Sequence, residues 1–230
     1  MRFPLFAAAF LACLAAAEAE AMTYRAVTID DGACGAACPA AIMATGPIEV
    51  DEDARFARFV AGLDAGRMSR VLVLSSPGGN VAGSLRLGFL LRRLGMRTLV
   101  ARLSPQGIAP GTCASACVYL FMAGAERRVV PGSRLAVHAA RAVGVSQRDI
   151  VGGGTIDAQI RPGAFEDAMR DYARLMGVSP AIIDLASSVP HETAHILSAE
   201  EMARYRLLTA AGPSARRTKP APRHRARSAG

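Results

Sequence analysis

The chain has 230 residues, 51% of them hydrophobic, and a formal net charge of +8. Six of the positive charges lie in residues 212–230, so the rest of the chain is close to neutral. The high pI therefore does not indicate a basic functional site. Residues 22–211 have a length that suits one domain.

Both ends of the chain have the composition of segments outside a core. Residues 1–21 combine an early arginine, a short apolar run and Ala-Glu-Ala before Met22, which predicts a secretory signal peptide. A buried N-terminal helix and lipid attachment at Cys13 are the weaker alternatives. Residues 212–230 are rich in Pro, Ser and Arg, and they predict a basic disordered tail, either simply solvated or in contact with anionic surfaces.

Apolar periodicity predicts alternating strands and helices between these ends. The predicted strands are residues 24–29, 71–74, 97–101, 129–130 and 135–138. The predicted helices are residues 51–63, 81–94, 113–123, 165–176, 180–187 and 198–205, with a glycine-rich loop at 142–163. Strands that alternate with helices indicate an α/β domain with a mainly parallel sheet and helices packed on it.

Four cysteines remain beyond the signal segment, namely Cys34, Cys38, Cys113 and Cys117. An even number in an oxidising compartment favours disulfides, and four cysteines allow three connectivities. A zinc site is the weaker interpretation, because the C-x₃-C spacing is not the usual one. We predict no bound metal.

Three short stretches are candidates for chemistry, and each also has an ordinary structural explanation. The turn Ser76-Pro77-Gly78-Gly79 follows a buried strand and exposes backbone N–H groups, although such strand-to-helix turns are common. Ser115 lies among small residues near a helix start, where it would otherwise be only a cap. His138 closes an apolar strand, where a histidine is usually a core residue.

A serine nucleophile needs a base within hydrogen-bond reach. The chain has a single lysine, Lys219, which lies in the tail, so a serine–lysine pair in the domain is excluded. If Ser115 is activated, His138 is the best-placed base.

The order of these features resembles the proteolytic subunit of the Clp protease, a member of the crotonase-like superfamily. The matching motifs are Ser76-Pro-Gly-Gly79, Ala114-Ser115, Ala123-Gly124 and Pro131-Gly-Ser133 followed by His138, with Leu197-Ser-Ala further on. The resemblance covers about residues 68–208. It implies a crotonase-like fold of repeated strand–helix units.

The resemblance also implies roles for individual residues. Ser115 would be the nucleophile and His138 the general base, with Gly79 and Ala116 supplying the N–H groups of an oxyanion hole. The family's third member, an aspartate, falls on Pro190, which cannot orient an imidazole. Glu192, and more weakly His191, are the candidates to substitute for it.

The primary hypothesis is therefore a periplasmic or secreted serine hydrolase, peptidase-like by the resemblance, that acts on a peptide or other acyl substrate. It would need no cofactor and no ATPase partner. Assembly into a homo-oligomer is left open. The alternative is a catalytically inert binding or scaffold protein on the same fold, which Pro190 and the cysteines around Ser115 favour. An acyl-CoA enzyme is a third and weaker hypothesis.

Overall fold

The computed structural model describes residues 21–28, 40–63, 69–141 and 163–209. The strands of these segments are β1 (Thr23–Thr28), β2 (Ala40–Thr45), β3 (Val71–Ser75), β4 (Arg97–Val100), β5 (Arg102–Ser104), β6 (Gly107–Ala109), β7 (Thr112–Ala114), β8 (Arg127–Val129), β9 (Arg134–Val137) and β10 (His195–Ile196). The helices are α1 (Glu52–Ala61), α2 (Val81–Arg93), α3 (Ala116–Met122), α4 (Ala164–Leu175), α5 (Ala181–Ser188) and α6 (Ala199–Arg204).

The central sheet has the strand order β1-β2-β3-β4-β8. The strands β2, β3, β4 and β8 run parallel, and β1 pairs antiparallel with β2. The predicted α/β class with a mainly parallel sheet is therefore confirmed. Because parallel strands all point the same way, their carboxyl ends meet along one edge of the sheet.

The apolar run of β3 is explained by burial on both faces of the sheet. Leu72 and Leu74 belong to the main core, which also contains the apolar side chains of α2 and α3. Val73 points to the other face, into a smaller cluster with Ala41 and Met43. A central parallel strand is covered on both sides, so its sequence is continuously apolar and does not alternate.

A smaller sheet lies beside the end of β3. Its order is β10-β9-β7, with β7 and β9 parallel and β10 antiparallel to β9. Ser76, directly after β3, forms a parallel bridge with Cys113 of β7. This bridge brings the Ser-Pro-Gly-Gly turn next to the segment that carries Ser115.

The structure departs from the predicted elements in several places, including the strand β10, which was not predicted, and β8, which begins two residues before its predicted start. The helix predicted at 113–123 begins only at Ala116, because its first residues form the strand β7. The strand β2 was not predicted from its Ala-Ala-Ile-Met-Ala-Thr sequence. The hairpin of β5 and β6 lies in a stretch that the proline and glycine content predicted as a loop.

Several sequence predictions lie outside the described residues. These are the signal segment before residue 21, the tail from residue 210 onward, the loop at 142–162, and the pair Cys34 and Cys38. Within the described segments, no helix has the length and hydropathy needed to cross a membrane.

Arg127, at the start of β8, is a buried charge that joins distant parts of the chain. Only 5% of its surface is exposed. Its guanidinium donates hydrogen bonds to the backbone carbonyl oxygens of Leu207, Arg206, Met122, Gly124 and Met176. Burial, together with the charge of Arg92, lowers the pKa of Arg127 to about 10, which still leaves the side chain charged at neutral pH.

We expect Arg127→Met to lower the free energy of unfolding by about 3 kcal/mol or more, because it leaves several buried carbonyls without a donor. Urea unfolding followed by circular dichroism measures the change. Arg97→Met is the matched control, since Arg97 is exposed and its side chain has no hydrogen bond to a described residue. The control should stay within about 0.5 kcal/mol of the wild type. Equal unfolding midpoints for the two variants would contradict the role given to Arg127.

Candidate active site

Ser115 lies in the sharp turn between β7 and α3, and its backbone is strained. Its φ of 54° and ψ of −124° are unusual for a residue with a side chain. Such conformations cost on the order of 1–3 kcal/mol and persist only where the surroundings enforce them. The residue is partly buried, and its side chain makes no capping hydrogen bond to the helix.

Backbone hydrogen bonds and a disulfide hold this turn. The Ser115 N–H donates to the Ala136 carbonyl at 2.8 Å, and the Ser115 carbonyl accepts from the Val118 N–H at 2.9 Å. A disulfide joins Cys113 on β7 to Cys117 on α3, with 5.2 Å between the Cα atoms, and both residues are fully buried. The disulfide therefore ties the strand to the helix across the serine.

The glycine turn after β3 packs directly against Ser115. Gly78 has a φ of 104°, and a Cβ atom at this position would lie 2.8 Å from the Ser115 Cβ and 3.2 Å from the Ala116 nitrogen. Only a glycine allows both the backbone conformation and this close approach.

Two backbone N–H groups beside Ser115 have no acceptor among the described residues, those of Gly79 and Ala116. Ile48 donates to the Gly78 carbonyl and accepts from the Asn80 N–H, so the Gly79 N–H points away from Ile48. Ala116 is the first residue of α3, where helical N–H groups have no intrahelical partner. By contrast, the Gly78 N–H donates to Ser76 Oγ.

Ser115 and His138 both lie just beyond the ends of neighbouring strands, and the register places Val137, one residue before His138, opposite Ser115. Each follows the last residue of its strand, and the two strands are adjacent and parallel, with Ala114 paired to Ala136. Neighbouring strands lie about 4.8 Å apart, so the structure brings the two side chains to the same edge. No hydrogen bond joins Ser115 Oγ to His138 within the described part of the chain. Hydrogen bonds of this kind are often long in a free enzyme.

A backbone carbonyl fixes the tautomer of His138. Its Nδ1 lies 2.9 Å from the Ala139 carbonyl oxygen, and the Nδ1 of His191 lies 3.0 Å from the same oxygen. A carbonyl only accepts, so both Nδ1 atoms carry protons and the neutral rings keep their lone pairs at Nε2. The two rings pack edge to face with their centroids 4.7 Å apart. The Ala139 N–H in turn donates a hydrogen bond to the Val189 carbonyl.

Glu192 has a different partner from the one expected of a third catalytic member. Its carboxylate binds the Arg141 guanidinium at 3.0 Å, and its side chain is 71% exposed. A hydrogen bond from its own backbone N–H, together with Arg141, holds the pKa of Glu192 below its usual value. Pro190 accepts hydrogen bonds from Thr193 in a tight turn. Among the described residues, no carboxylate is hydrogen-bonded to His138.

Sequence reasoning missed the Ala139 carbonyl, because every residue has a carbonyl and no side-chain pattern marks this one. It also missed that Cys113 lies on a strand. No group of three or more His, Cys, Asp or Glu residues that could hold a metal ion occurs in the described segments.

Among comparisons with known proteins, those with solved structures find likenesses of fold. No protein-family model and no curated protein matches the chain. A solved structure of a mutant membrane-bound stomatin-specific protease aligns with a TM-score of 0.48 at 17% identity, over 72% of this chain and 75% of that one. The likeness is one of chain fold, and it says nothing about the activity of this chain.

We expect Gly78→Ala to slow the reaction of Ser115 with a fluorophosphonate by on the order of 100-fold, because the new methyl group displaces the serine and Ala116. Gly177→Ala is the matched control: Gly177 also has a positive φ, of 70°, but a Cβ atom there meets nothing within 4 Å. The control should carry only the backbone cost, about 1 kcal/mol of stability. Equal labelling rates for the two variants would contradict the packing argument.

Proposed function

We propose that this chain is a serine hydrolase, peptidase-like and exported to the periplasm, with a crotonase-like fold of the Clp protease type. The observation that carries the proposal is the strained serine between a strand and a helix, with two unpaired N–H groups beside it. The motif resemblance at several separate points of the sequence supports the same assignment. The proposed active residues are Ser115, His138, Gly79 and Ala116.

The proposed mechanism is acyl transfer. Ser115 Oγ attacks a carbonyl carbon while its proton passes to Nε2 of His138. The oxygen of the tetrahedral intermediate accepts hydrogen bonds from the N–H groups of Gly79 and Ala116. The imidazolium then gives its proton to the leaving group, and water releases the acyl group from Ser115 by the reverse sequence.

The Ala139 carbonyl takes over one task of the missing acid. By accepting a hydrogen bond from the Nδ1–H of His138, it keeps the Nε2 lone pair available to the serine. A carbonyl is neutral, however, and stabilises the developing imidazolium less than a carboxylate does. We therefore expect ready reaction with activated probes and slow hydrolysis of amides.

The substrate class follows from the proposed location. A periplasmic enzyme has neither ATP nor an unfoldase, so its substrates would be short peptides, unfolded chains or other small acyl compounds. We do not propose the ring assembly of the Clp protease for this chain, because the segment at 142–162, which follows His138, lies outside the described residues.

The second candidate is a non-catalytic binding protein on the same fold. It is favoured by the absence of a carboxylate bonded to His138 in the described segments and by the disulfide around Ser115. It predicts that Ser115→Ala leaves the cellular phenotype and partner binding unchanged.

Fluorophosphonate labelling of the purified mature protein separates the two candidates. We expect the wild type to label, Ser115→Ala not to label, and His138→Ala to label on the order of 10²–10⁴-fold more slowly. Ser188→Ala and His195→Gln are the matched controls, since Ser188 lies at the end of α5 and His195 is bound to Glu201. Both controls should label at the wild-type rate.

Each measurement is repeated with a reductant. We expect no effect of reductant on the native protein, because both cysteines of the disulfide are fully buried. A wild type that never labels under either condition would remove the hydrolase proposal and leave the binding protein.

A further pair of variants locates the group that orients His138. We expect His191→Ala to slow labelling, because it removes the ring that packs edge-on against His138. Glu192→Gln should label normally, because its carboxylate faces Arg141. If Glu192→Gln labels slowly and His191→Ala does not, the orienting role belongs to the carboxylate instead.

A further inference from the structure

A polar cleft opens at the carboxyl edge of the parallel sheet, beside the candidate active site. Its volume is about 400 Å³. Its walls come from the segments that follow β3, β4 and β8, and from the start of β7 and β9. They consist of Ser75, Arg102, Pro110, Gly111, Thr112, Gly132 and Arg134. Ligands of open parallel sheets bind at this edge, outside the carboxyl ends of the strands.

Of the described residues that line the cleft, two are positively charged and none is acidic. Arg102 and Arg134 are both exposed, and neither guanidinium has an ion pair or hydrogen bond to a described residue. Elsewhere on the surface, arginines such as Arg170 bind nearby aspartates. The pair in the cleft is thus free to bind an anion from solution. Guanidinium groups bind carboxylates in a two-pronged geometry that an ammonium cannot reproduce.

The strand β7 connects the cleft to Ser115, because its first residue lines the cleft and Ser115 follows its last residue. Thr112 pairs in register with Arg134 and stands three residues before Ser115. At about 3.3 Å per residue, this separation is about 10 Å, the length of two or three residues of an extended peptide. The bridge from Ser76 to Cys113 places the glycine turn between them.

We propose that this cleft is a specificity subsite for an acidic side chain, an Asp or Glu two or three residues from the peptide bond presented to Ser115. The link to peptide cleavage rests on the proposed function. The carboxylate site itself does not, because it requires only Arg102 and Arg134. Serine and threonine hydroxyls in the cleft walls can donate to the same carboxylate.

The test measures binding without turnover. Full-length Ser115→Ala protein is titrated into a fluorescein-labelled octapeptide with one central Glu, and into the same peptide with Gln in its place. We expect the Glu peptide to bind about tenfold more tightly by fluorescence anisotropy. Arg102→Gln/Arg134→Gln, added to this background, should abolish the preference. Arg97→Gln, at the opposite end of β4, removes the same kind of exposed charge and should retain it.

Three outcomes would overturn the proposal. The two peptides bind equally, the Glu preference survives in the double variant, or the protein binds inorganic phosphate but shows no preference for the Glu peptide. The double variant Arg102→Lys/Arg134→Lys keeps the charge and replaces the glutamine variant in the test if that variant does not fold. We expect it to weaken the preference for the Glu peptide. The basic tail is the same in every variant, so it cannot produce a difference in preference between the variants. Failure of the hydrolase proposal is recognised separately, by absent fluorophosphonate labelling in a protein that still prefers the Glu peptide.

Discussion

The strained backbone of Ser115 is the constraint around which the candidate site is built. A φ of 54° at a serine opposes the local preference of the chain, so surrounding contacts must compensate for it. They come from β9 through the Ala136 carbonyl, from α3 through Val118, and from the disulfide that closes the turn. The close approach of Gly78 then sets one wall of the site. Ser115 itself is partly buried.

The second feature is that a backbone carbonyl, and not a carboxylate, is the hydrogen-bond partner of the candidate base His138 among the described residues. The Ala139 carbonyl accepts hydrogen bonds from Nδ1 of His138 and His191, and the N–H groups of Gly79 and Ala116 have no acceptor in the described segments. Among the described residues, no carboxylate is hydrogen-bonded to His138, so a protonated His138 would lack the stabilisation that such a charge gives. Under the proposed function, slow hydrolysis of amides and fast reaction with activated probes are therefore compatible.

Parallel strand order explains why the serine, the glycine turn and the arginine cleft are neighbours. Each of these three features lies at the carboxyl end of a strand or next to one, and those ends meet along one edge of the sheet. Arg102 follows β4 and Arg134 begins β9, residues far apart in sequence that line one cleft. The basic composition of the chain does not mark this pair, because most of its excess charge lies in the tail.

The sequence alone determined the elements whose signal is local. The apolar run of β3, the turn Ser76-Pro-Gly-Gly79, and the periodic helices α2 and α4 are found close to their predicted bounds, because burial on a fixed face imposes a fixed period. Only the tertiary structure decided the strand β2, the pairing of Cys113 with Cys117, the conformation of Ser115 and the partner of His138. These depend on which distant segments meet, and a hydrogen bond to a backbone carbonyl leaves no mark on the residue that provides it.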